Sequence, residues 1–407
     1  MGSRVWCAPL VRDGWRPEHG GRPPIIGAVT DDDRQDRPAL RRAAPALLGY
    51  AAVRALGVLV LALWSAAEGK SWLTLLTARW DSLWYTRVAE HGYGWSVTLP
   101  DGSVHSNLAF FPLLPWLERL GSALTPLSYG QAGMVVSWLA SLAAAWGIYA
   151  VGARVSGHRA GVCLAVLWGA LPIGIVASMA YSEALFTALA AWGLYAVLRR
   201  RWVTAGLLAS LAGLTRPIGA AVVAAVWVAA ALWVRRERRV PWRLVAGVLL
   251  APAGAASYVL WVGHRTGGGL LGYLDVQGQW GNGFDGGLAF ARFVADKFTS
   301  LPGALAGTGL IVGVVLVVWL YVAGVRQGQP VPLLVYTGVV LALALCSSGY
   351  FGSKPRLMLP AFPLLLPPAV ALARWHTRRP AAAWVLGGLA LVSAGYGAFW
   401  LNGSGPP

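Results

Sequence analysis

Long runs of apolar residues alternate with short polar connections along most of this chain. An α-helix needs about 20 apolar residues to cross a bilayer, and most of the runs are close to this length. The predicted spans cover residues 44–66, 131–152, 160–180, 183–198, 202–215, 217–234, 243–263, 302–325, 331–348, 357–373 and 381–401. The pieces 183–198 and 202–215 are short for an upright span, so we expect them to be tilted or partly re-entrant. The pattern predicts an all-α, polytopic bundle of ten or eleven transmembrane helices.

Three polar segments interrupt this pattern. Residues 1–43 are rich in Arg, Pro and Gly and show no hydrophobic period, which predicts a disordered tail rather than a signal peptide. Residues 67–130 and 264–301 form two long loops, and the first contains stretches with helical spacing that favour amphipathic or re-entrant helices. We expect residues 44–403 to form one transmembrane domain that includes both loops.

The composition supports a membrane protein and changes the meaning of the net charge. Hydrophobic residues make up 57% of the chain and charged residues 12%, whereas a soluble domain carries about 25% charged residues. A net charge of +17 would indicate a nucleic-acid partner in a soluble protein. Here the basic residues lie in short loops between apolar runs, where they set topology and meet anionic lipid. The expected partner is membrane lipid, not nucleic acid.

The basic residues are divided unequally between the two sides of the predicted bundle. If the N-terminal tail is cytoplasmic, five short inside loops hold fourteen basic residues against one acid, Glu237. The outside segments hold ten basic and nine acidic residues. Because positive residues are retained on the cytoplasmic side, this predicts a multi-pass cell-membrane protein with a cytoplasmic N-terminus. Both long loops, and any chemistry they carry, then lie at the outer face.

The first outer loop holds a carboxylate in an aromatic setting. Trp80, Trp84, Arg87 and His91 recur at helical spacing, which predicts an amphipathic helix anchored at the membrane interface. Anchoring does not explain Asp81, because ionisable groups near membrane depth are costly and usually functional. We interpret Asp81 as a candidate base for an attacking hydroxyl. A simple ion pair with Arg87 is the alternative.

Further charges lie at the outer ends of predicted spans. Arg216 stands in a Thr-Arg-Pro turn, and Lys354 and Arg356 precede the span at 357–373. Arginine offers a fork that matches phosphate oxygens and lysine a compact charge, so these residues are predicted to bind phosphate. Snorkelling to lipid headgroups is the alternative. Glu183 begins a helix, where it either complements the helix dipole or contacts the substrate.

Neither long loop has the residue spacing of a metal site. His91 and His105 lack a Glu-x-x-His partner, and the three cysteines form no CxxC pair. We therefore predict no metal ion and no cofactor. The loop 264–301 is polar, rich in glycine and aromatic, which suits either sugar contact or a flexible lid.

Five short blocks in a fixed order resemble one known family. The blocks are Arg79-Trp-Asp-Ser-Leu-Trp-Tyr85, Ala109-Phe-Phe-Pro-Leu-Leu-Pro115, Tyr181-Ser-Glu-Ala-Leu-Phe186, Gly213-Leu-Thr-Arg-Pro-Ile-Gly219 and Lys354-Pro-Arg-Leu-Met-Leu-Pro-Ala-Phe-Pro363. Together they cover about residues 45 to 370 and resemble the PIG-V-type mannosyltransferases, which add the second mannose in GPI-anchor assembly, and their bacterial relatives.

The resemblance implies a GT-C-type fold with an outer-face active site that uses a lipid-linked sugar. It implies a polyprenyl-phosphate donor, with mannose as the expected sugar, and an acidic base in the first outer loop, where Asp81 matches. The acceptor is expected to be a glycolipid, a glycan or a protein. The candidate substrate-binding residues are Trp80, Tyr85, Arg87, Glu183, Arg216, Lys354 and Arg356.

Two other classes of function compete with an inverting glycosyltransferase. A lipid or sugar transporter would need ionisable residues in mid-span, where Arg54 is the main candidate. A nonenzymatic scaffold would not need Asp81.

Overall fold

The computed structural model describes residues 39–375 and 379–405. The predicted tail therefore lies outside the described residues as far as residue 38. Residues 39–43, which the sequence placed in that tail, already belong to the first helix. The reason is local, because the Ala, Leu and Arg residues of this stretch favour helix and extend it beyond the apolar run.

The described residues are organised as eighteen α-helices. The helices are Ala39–Ala67 (α1), Trp72–Thr77 (α2), Asp81–His91 (α3), Leu113–Leu124 (α4), Tyr129–Ser156 (α5), His158–Gly169 (α6), Glu183–Leu198 (α7), Trp202–Gly213 (α8), Ala220–Glu237 (α9), Trp242–Leu250 (α10), Ala253–Thr266 (α11), Gly272–Gln279 (α12), Leu288–Asp296 (α13), Leu301–Arg326 (α14), Val331–Leu345 (α15), Lys354–Met358 (α16), Leu366–Arg374 (α17) and Arg379–Asn402 (α18). Short 3-10 turns cover Asn107–Ala109, Pro172–Ser178, Pro217–Gly219, Gly269–Leu271, Lys297–Thr299, Phe351–Ser353 and Phe362–Leu365.

Two short strands in the first long loop were not predicted. Ser96–Thr98 (β1) and Val104–Ser106 (β2) pair antiparallel, with Val97 opposite His105. They are joined through Asp101-Gly102, a dipeptide that favours tight turns, and the φ of Gly102 is 84°. The hairpin leaves the fold class unchanged.

The predicted all-helical, polytopic membrane bundle is confirmed, but the number of clear spans is lower than predicted. Six segments of the described chain are long and apolar enough to cross a membrane: Ala39–Ala67, Tyr129–Ser156, Pro217–Glu237, Trp242–Thr266, Leu301–Arg326 and Ala381–Asn402. Two bent helix pairs would raise the count to eight. The other three predicted spans, α7, α8 and α15, are helical but short. The 12 residues of α8, for example, extend only about 18 Å.

Small residues allow the central helices to pack closely. α5 packs against α6 and α7, and α1 packs against α18. At the crossing of α5 and α6, a Cβ atom on Gly152 would lie 2.9 Å from the Cα of Gly161. Close approach of this kind increases van der Waals contact between helices, which drives helix association within a membrane. The resulting core supports the helix ends from which the polar loops emerge.

A buried arginine stabilises the sharp bend between α6 and the turn that follows it. α6 and the following turn Pro172–Ser178 meet at 83°, because Pro172 cannot continue the helical hydrogen bonds. Arg54 of α1 donates to the carbonyl oxygen of Gly169 at 2.7 Å and to Ser393 Oγ at 3.2 Å. Ser393 Oγ in turn donates to the carbonyl oxygen of Leu171 at 2.7 Å. Arg54 therefore satisfies the carbonyl oxygen of Gly169 directly and is linked to that of Leu171 through Ser393.

The two long loops pack on one another. The Tyr258 hydroxyl contacts the carbonyl oxygens of Leu108 and Phe110 at 2.9 and 2.8 Å. Trp280 Nε1 donates to the carbonyl oxygen of Ser106 at 3.1 Å. These bonds attach α11 and the second loop to the first loop, so the two loops cover the same end of the bundle.

Glu118 is a fully buried carboxyl group between α4 and α5. Its Oε1 atom occupies the position that a side chain on Gly133 would need. Neither carboxyl oxygen has a hydrogen-bond partner among the described residues. Burial raises the pKa of the Glu118 carboxyl well above its usual range, because the charged form would be desolvated without compensation.

The substitution Glu118→Gln should stabilise the protein at alkaline pH. A carboxyl whose pKa rises on folding contributes its full stability only below its unfolded pKa, about 4.3, and loses it as pH rises toward the folded value. Glutamine has no proton to lose, so the melting temperature of the variant in detergent should exceed that of the wild type at pH 8. We expect a gain of about 2–4 °C for each kcal/mol recovered and no gain at pH 4.

The matched control for this measurement is Glu90→Gln, which removes an exposed carboxylate from α3. It should show no comparable difference between pH 4 and pH 8. A Glu118→Gln variant that melts at or below the wild-type temperature at both pH values would contradict the prediction.

Candidate active site

Asp81 is positioned by a strained connection after the first span. The chain leaves α1, forms the short helix α2 and reaches Trp80, whose φ is 50°. A bulky residue adopts this left-handed conformation only when its surroundings enforce it, at a cost of about 1–3 kcal/mol. Asp81 then becomes the first residue of α3, where the helix dipole favours negative charge. Its backbone N–H donates to the Tyr181 hydroxyl at 3.3 Å.

Glu183 and Arg216 form an ion pair that is almost entirely removed from water. Glu183 is the first residue of α7, and its side chain is 1% exposed. Arg216 lies in an extended conformation between α8 and α9, and its Nη1 contacts Glu183 Oε1. The same nitrogen donates to Ser182 Oγ at 3.3 Å. Since an unpaired buried charge is strongly unfavourable, each residue requires the other.

Arg356 joins this ion pair to Asp81. Its Nη1 donates to Asp81 Oδ2 at 2.6 Å, across 275 residues of sequence. Its Nε lies 3.4 Å from Glu183 Oε1, an electrostatic contact without hydrogen-bond geometry. We call Asp81, Glu183, Arg216 and Arg356 the charged cluster. Two carboxylates face two guanidinium groups in it, so the cluster is neutral when all four are ionised.

Two residues missing from the predicted site connect the cluster to its surroundings. The Tyr85 hydroxyl and Ser182 Oγ are 2.7 Å apart, so Ser182 links a predicted substrate-binding residue to Arg216. The Tyr181 ring lies beneath the Arg356 guanidinium, 5.1 Å from its central carbon. Their position in the sequence could have indicated this role, because Tyr181 and Ser182 directly precede Glu183. Burial raises the pKa of the Tyr85 hydroxyl, so Tyr85 stays protonated and serves as a hydrogen-bonding group.

Arg87 does not pair with Asp81, the alternative that the sequence left open. Arg87 lies six positions after Asp81 on α3, whereas helical side chains meet at spacings of three or four. The Arg87 guanidinium instead lies 3.8 Å from the Trp95 ring centre. Trp80, which was also predicted to contact substrate, carries the Arg79 guanidinium 4.0 Å from its ring centre.

Lys354 is held apart from Arg356 although the two are close in sequence. Its Nζ donates to the carbonyl oxygens of Ala344 and Ser347, both at 2.7 Å, near the end of α15. The same nitrogen lies 5.1 Å and 5.2 Å from the ring centres of Phe290 and Phe351. In this arrangement Lys354 satisfies free carbonyl groups at a helix end.

Aromatic side chains from both long loops surround the start of α3. Trp84, one turn after Asp81, stacks on Phe110 with ring centres 5.5 Å apart and meets Trp280 edge-on at 4.7 Å. His105 stacks on Trp280 at 4.1 Å. These contacts attach the loop 264–301 beside the charged cluster.

The cluster combines a carboxylate that can accept a proton with guanidinium groups that can stabilise an oxyanion. Among the described residues, no group of three or more His, Cys, Asp or Glu side chains is placed to hold a metal ion. The side chains of the cluster can themselves supply proton transfer and electrostatic stabilisation.

Comparisons with known proteins identify the fold. No protein-family model matches the sequence, and no curated protein sequence matches it. The apo structure of the Archaeoglobus fulgidus oligosaccharyltransferase aligns with 92% of this chain and 57% of its own length, at 14% identity and a TM-score of 0.54. This chain has a GT-C-type fold. The likeness establishes the architecture alone, because the identity is low.

A second solved structure is similar at a lower score. ArnT from Cupriavidus metallidurans bound to undecaprenyl phosphate aligns with 85% of this chain and 63% of its own length, at 16% identity and a TM-score of 0.49. The chain thus spans 57% and 63% of the lengths of these two proteins.

Breaking the buried ion pair of Glu183 and Arg216 should destabilise the protein strongly. Glu183→Gln leaves two guanidinium groups facing one carboxylate, and we expect a loss of about 3–5 kcal/mol in the free energy of unfolding. Adding Arg216→Gln to the same chain restores the charge balance and should recover most of this loss. Thermal unfolding in detergent measures both effects.

The exposed ion pair of Arg200 and Glu237, at 4.0 Å, provides the control. Glu237→Gln should cost about 0–1 kcal/mol, because water screens exposed pairs. Equal losses for Glu183→Gln and Glu237→Gln, or a double variant less stable than Glu183→Gln alone, would contradict the assignment.

Proposed function

We propose that this protein is a membrane glycosyltransferase that moves a hexose from a polyprenyl-phosphate donor to an acceptor hydroxyl, by inverting displacement at the outer face. The observation that carries the proposal is the charged cluster, which puts one accessible carboxylate against buried guanidinium groups. The transmembrane domain, residues 44–403, would be the catalytic unit. The sugar would be carried only by the lipid phosphate of the donor.

Asp81 is the proposed base. It is the most exposed member of the charged cluster, with 25% of its side chain accessible, whereas Glu183 is 1% exposed. In the proposed step, Asp81 accepts the proton of the acceptor hydroxyl as that oxygen bonds to the anomeric carbon. The bond from this carbon to the phosphate oxygen breaks, and the phosphate leaves with the electron pair. One base is sufficient, because the leaving group needs no protonation.

Arg216 and Arg356 are the proposed phosphate ligands. Each presents a planar set of N–H donors that fits phosphate oxygens, and each is held in place by a buried carboxylate. Such preorganised positive charge stabilises the leaving phosphate as negative charge develops on it. Lys354 is assigned a supporting role, since its ammonium group is bound to carbonyl oxygens.

The sugar, the acceptor and the side of the membrane have separate support. The resemblance to PIG-V-type enzymes favours mannose, with a glycolipid, glycan or protein as acceptor. The excess of basic residues in the alternate loops favours the outer face for the cluster. The transporter alternative rests on the mid-span residue Arg54, whose Nη2 donates to the carbonyl oxygen of Gly169 and to Ser393 Oγ at the break after α6, so this arginine already has a structural role.

The experiment that tests this function uses membranes that contain the protein and radiolabelled polyprenyl-phosphate mannose. Label should pass to a membrane acceptor in the wild type and in Glu90→Gln, which removes an exposed carboxylate of the same helix. Asp81→Asn should lower the rate by about 10²–10⁴-fold, the usual contribution of a general base.

The outcomes separate the function from the residue assignment. No transfer by the wild type to any membrane acceptor would overturn the transferase proposal with this donor. Equal rates for the wild type and Asp81→Asn would overturn Asp81 as base while leaving the activity in place.

A further inference from the structure

The base and one of the phosphate ligands of the proposed site are bonded to each other. Asp81 Oδ2 accepts a hydrogen bond from Arg356 Nη1 at 2.6 Å. While this bond exists, Arg356 occupies a lone pair of that oxygen and competes for it with an acceptor hydroxyl. The edge of Arg356 that donates to it is also closed to a phosphate.

The two halves of the charged cluster differ in burial. Glu183 and Arg216 are 1% and 13% exposed, and Ser182 supports Arg216 from the side. Asp81 is 25% exposed and sits at the first turn of α3, next to the strained residue Trp80. The pair of Glu183 and Arg216 is therefore the fixed half, and Asp81 is the member that can leave its partner for water.

We propose that the phosphate of the donor competes with Asp81 for Arg356, so that donor binding releases the base. This inference rests on the proposed function and adds an order of events to it. A phosphate ester presents anionic oxygens that match the guanidinium fork at least as well as a carboxylate does. Once the phosphate occupies Arg356, the freed Asp81 faces the acceptor.

The charge balance of the cluster favours the exchange. Two carboxylates already neutralise the two guanidinium groups, so an added phosphate faces no net positive charge. Displacing Asp81 frees Nη1 of Arg356 for the phosphate, while Arg216, the other proposed phosphate ligand, keeps its contact with Glu183. In the absence of donor, Asp81 stays bound to Arg356 through Oδ2.

The proposal predicts that removing the base improves binding of the lipid phosphate. Purified protein in detergent is titrated with undecaprenyl phosphate, and undecaprenol serves as the ligand without phosphate. Asp81→Asn is nearly isosteric but carries no charge to compete for Arg356. Its Kd for undecaprenyl phosphate should be about tenfold lower than that of the wild type, the equivalent of one charge-assisted hydrogen bond. Affinity for undecaprenol should not change.

A double-mutant cycle tests whether the gain passes through Arg356. In an Arg356→Gln background, Asp81→Asn should leave the Kd for undecaprenyl phosphate unchanged, because the contested guanidinium group is absent. Glu90→Gln removes one negative charge from the exposed part of α3 and should also leave the Kd unchanged. Thermal unfolding of each variant confirms that the compared chains are folded.

The possible results of these titrations distinguish failure of the proposed function from failure of the competition alone. Wild-type and Asp81→Asn proteins that both fail to bind undecaprenyl phosphate would overturn the proposed function and this inference with it. Binding by the wild type with equal or weaker binding by Asp81→Asn would overturn only the competition. A similar gain in Glu90→Gln, or in the Arg356→Gln background, would overturn it as well, because net charge alone would then explain the effect.

Discussion

The requirement that a buried charge be paired governs the polar end of this bundle. Asp81, Glu183, Arg216 and Arg356 come from four separate segments, and leaving any one of the buried groups alone would cost several kcal/mol. Four segments must therefore meet at one place: the start of α3, the start of α7, the connection that follows α8, and the short helix α16. The same arrangement concentrates the proposed base and the proposed phosphate ligands there, so the stability of this region and its proposed chemistry depend on the same contacts.

Broken helices are the structural means by which these segments meet. The 83° break after α6 turns the chain so that Tyr181, Ser182 and Glu183 reach the cluster instead of continuing along a straight span. Arg54 holds the break by satisfying the carbonyl oxygen of Gly169, a group that a membrane cannot hydrate. A buried arginine far from the cluster thus contributes to its geometry through the backbone.

The sequence predicted which residues carry charge at the polar end, but not which of them pair. Asp81, Glu183, Arg216 and Arg356 were all named from their positions beside apolar runs, because hydropathy locates helix ends well. The partner of Asp81 was open, since Arg356 lies 275 residues away and nothing local indicates that contact. Lys354, two residues before Arg356, is bound to carbonyl oxygens near the end of α15, an outcome set by the tertiary position of that helix. The sequence also predicted more full spans than the described helices provide, because apolar composition does not distinguish a full crossing from a short helix.

The short helices bear on the depth at which the charges would lie in a membrane. α7 and α8 meet at Arg199–Arg201, three arginines that are expected at the level of the lipid headgroups. From there the 16 residues of α7 extend about 24 Å and the 12 residues of α8 about 18 Å, less than the roughly 30 Å of the hydrocarbon core. With Arg199–Arg201 at the headgroup level, Glu183 and Arg216 at the far ends of these helices would lie below the opposite surface. A charge in such a position is stable when it is paired, which agrees with the ion pair that the two residues form.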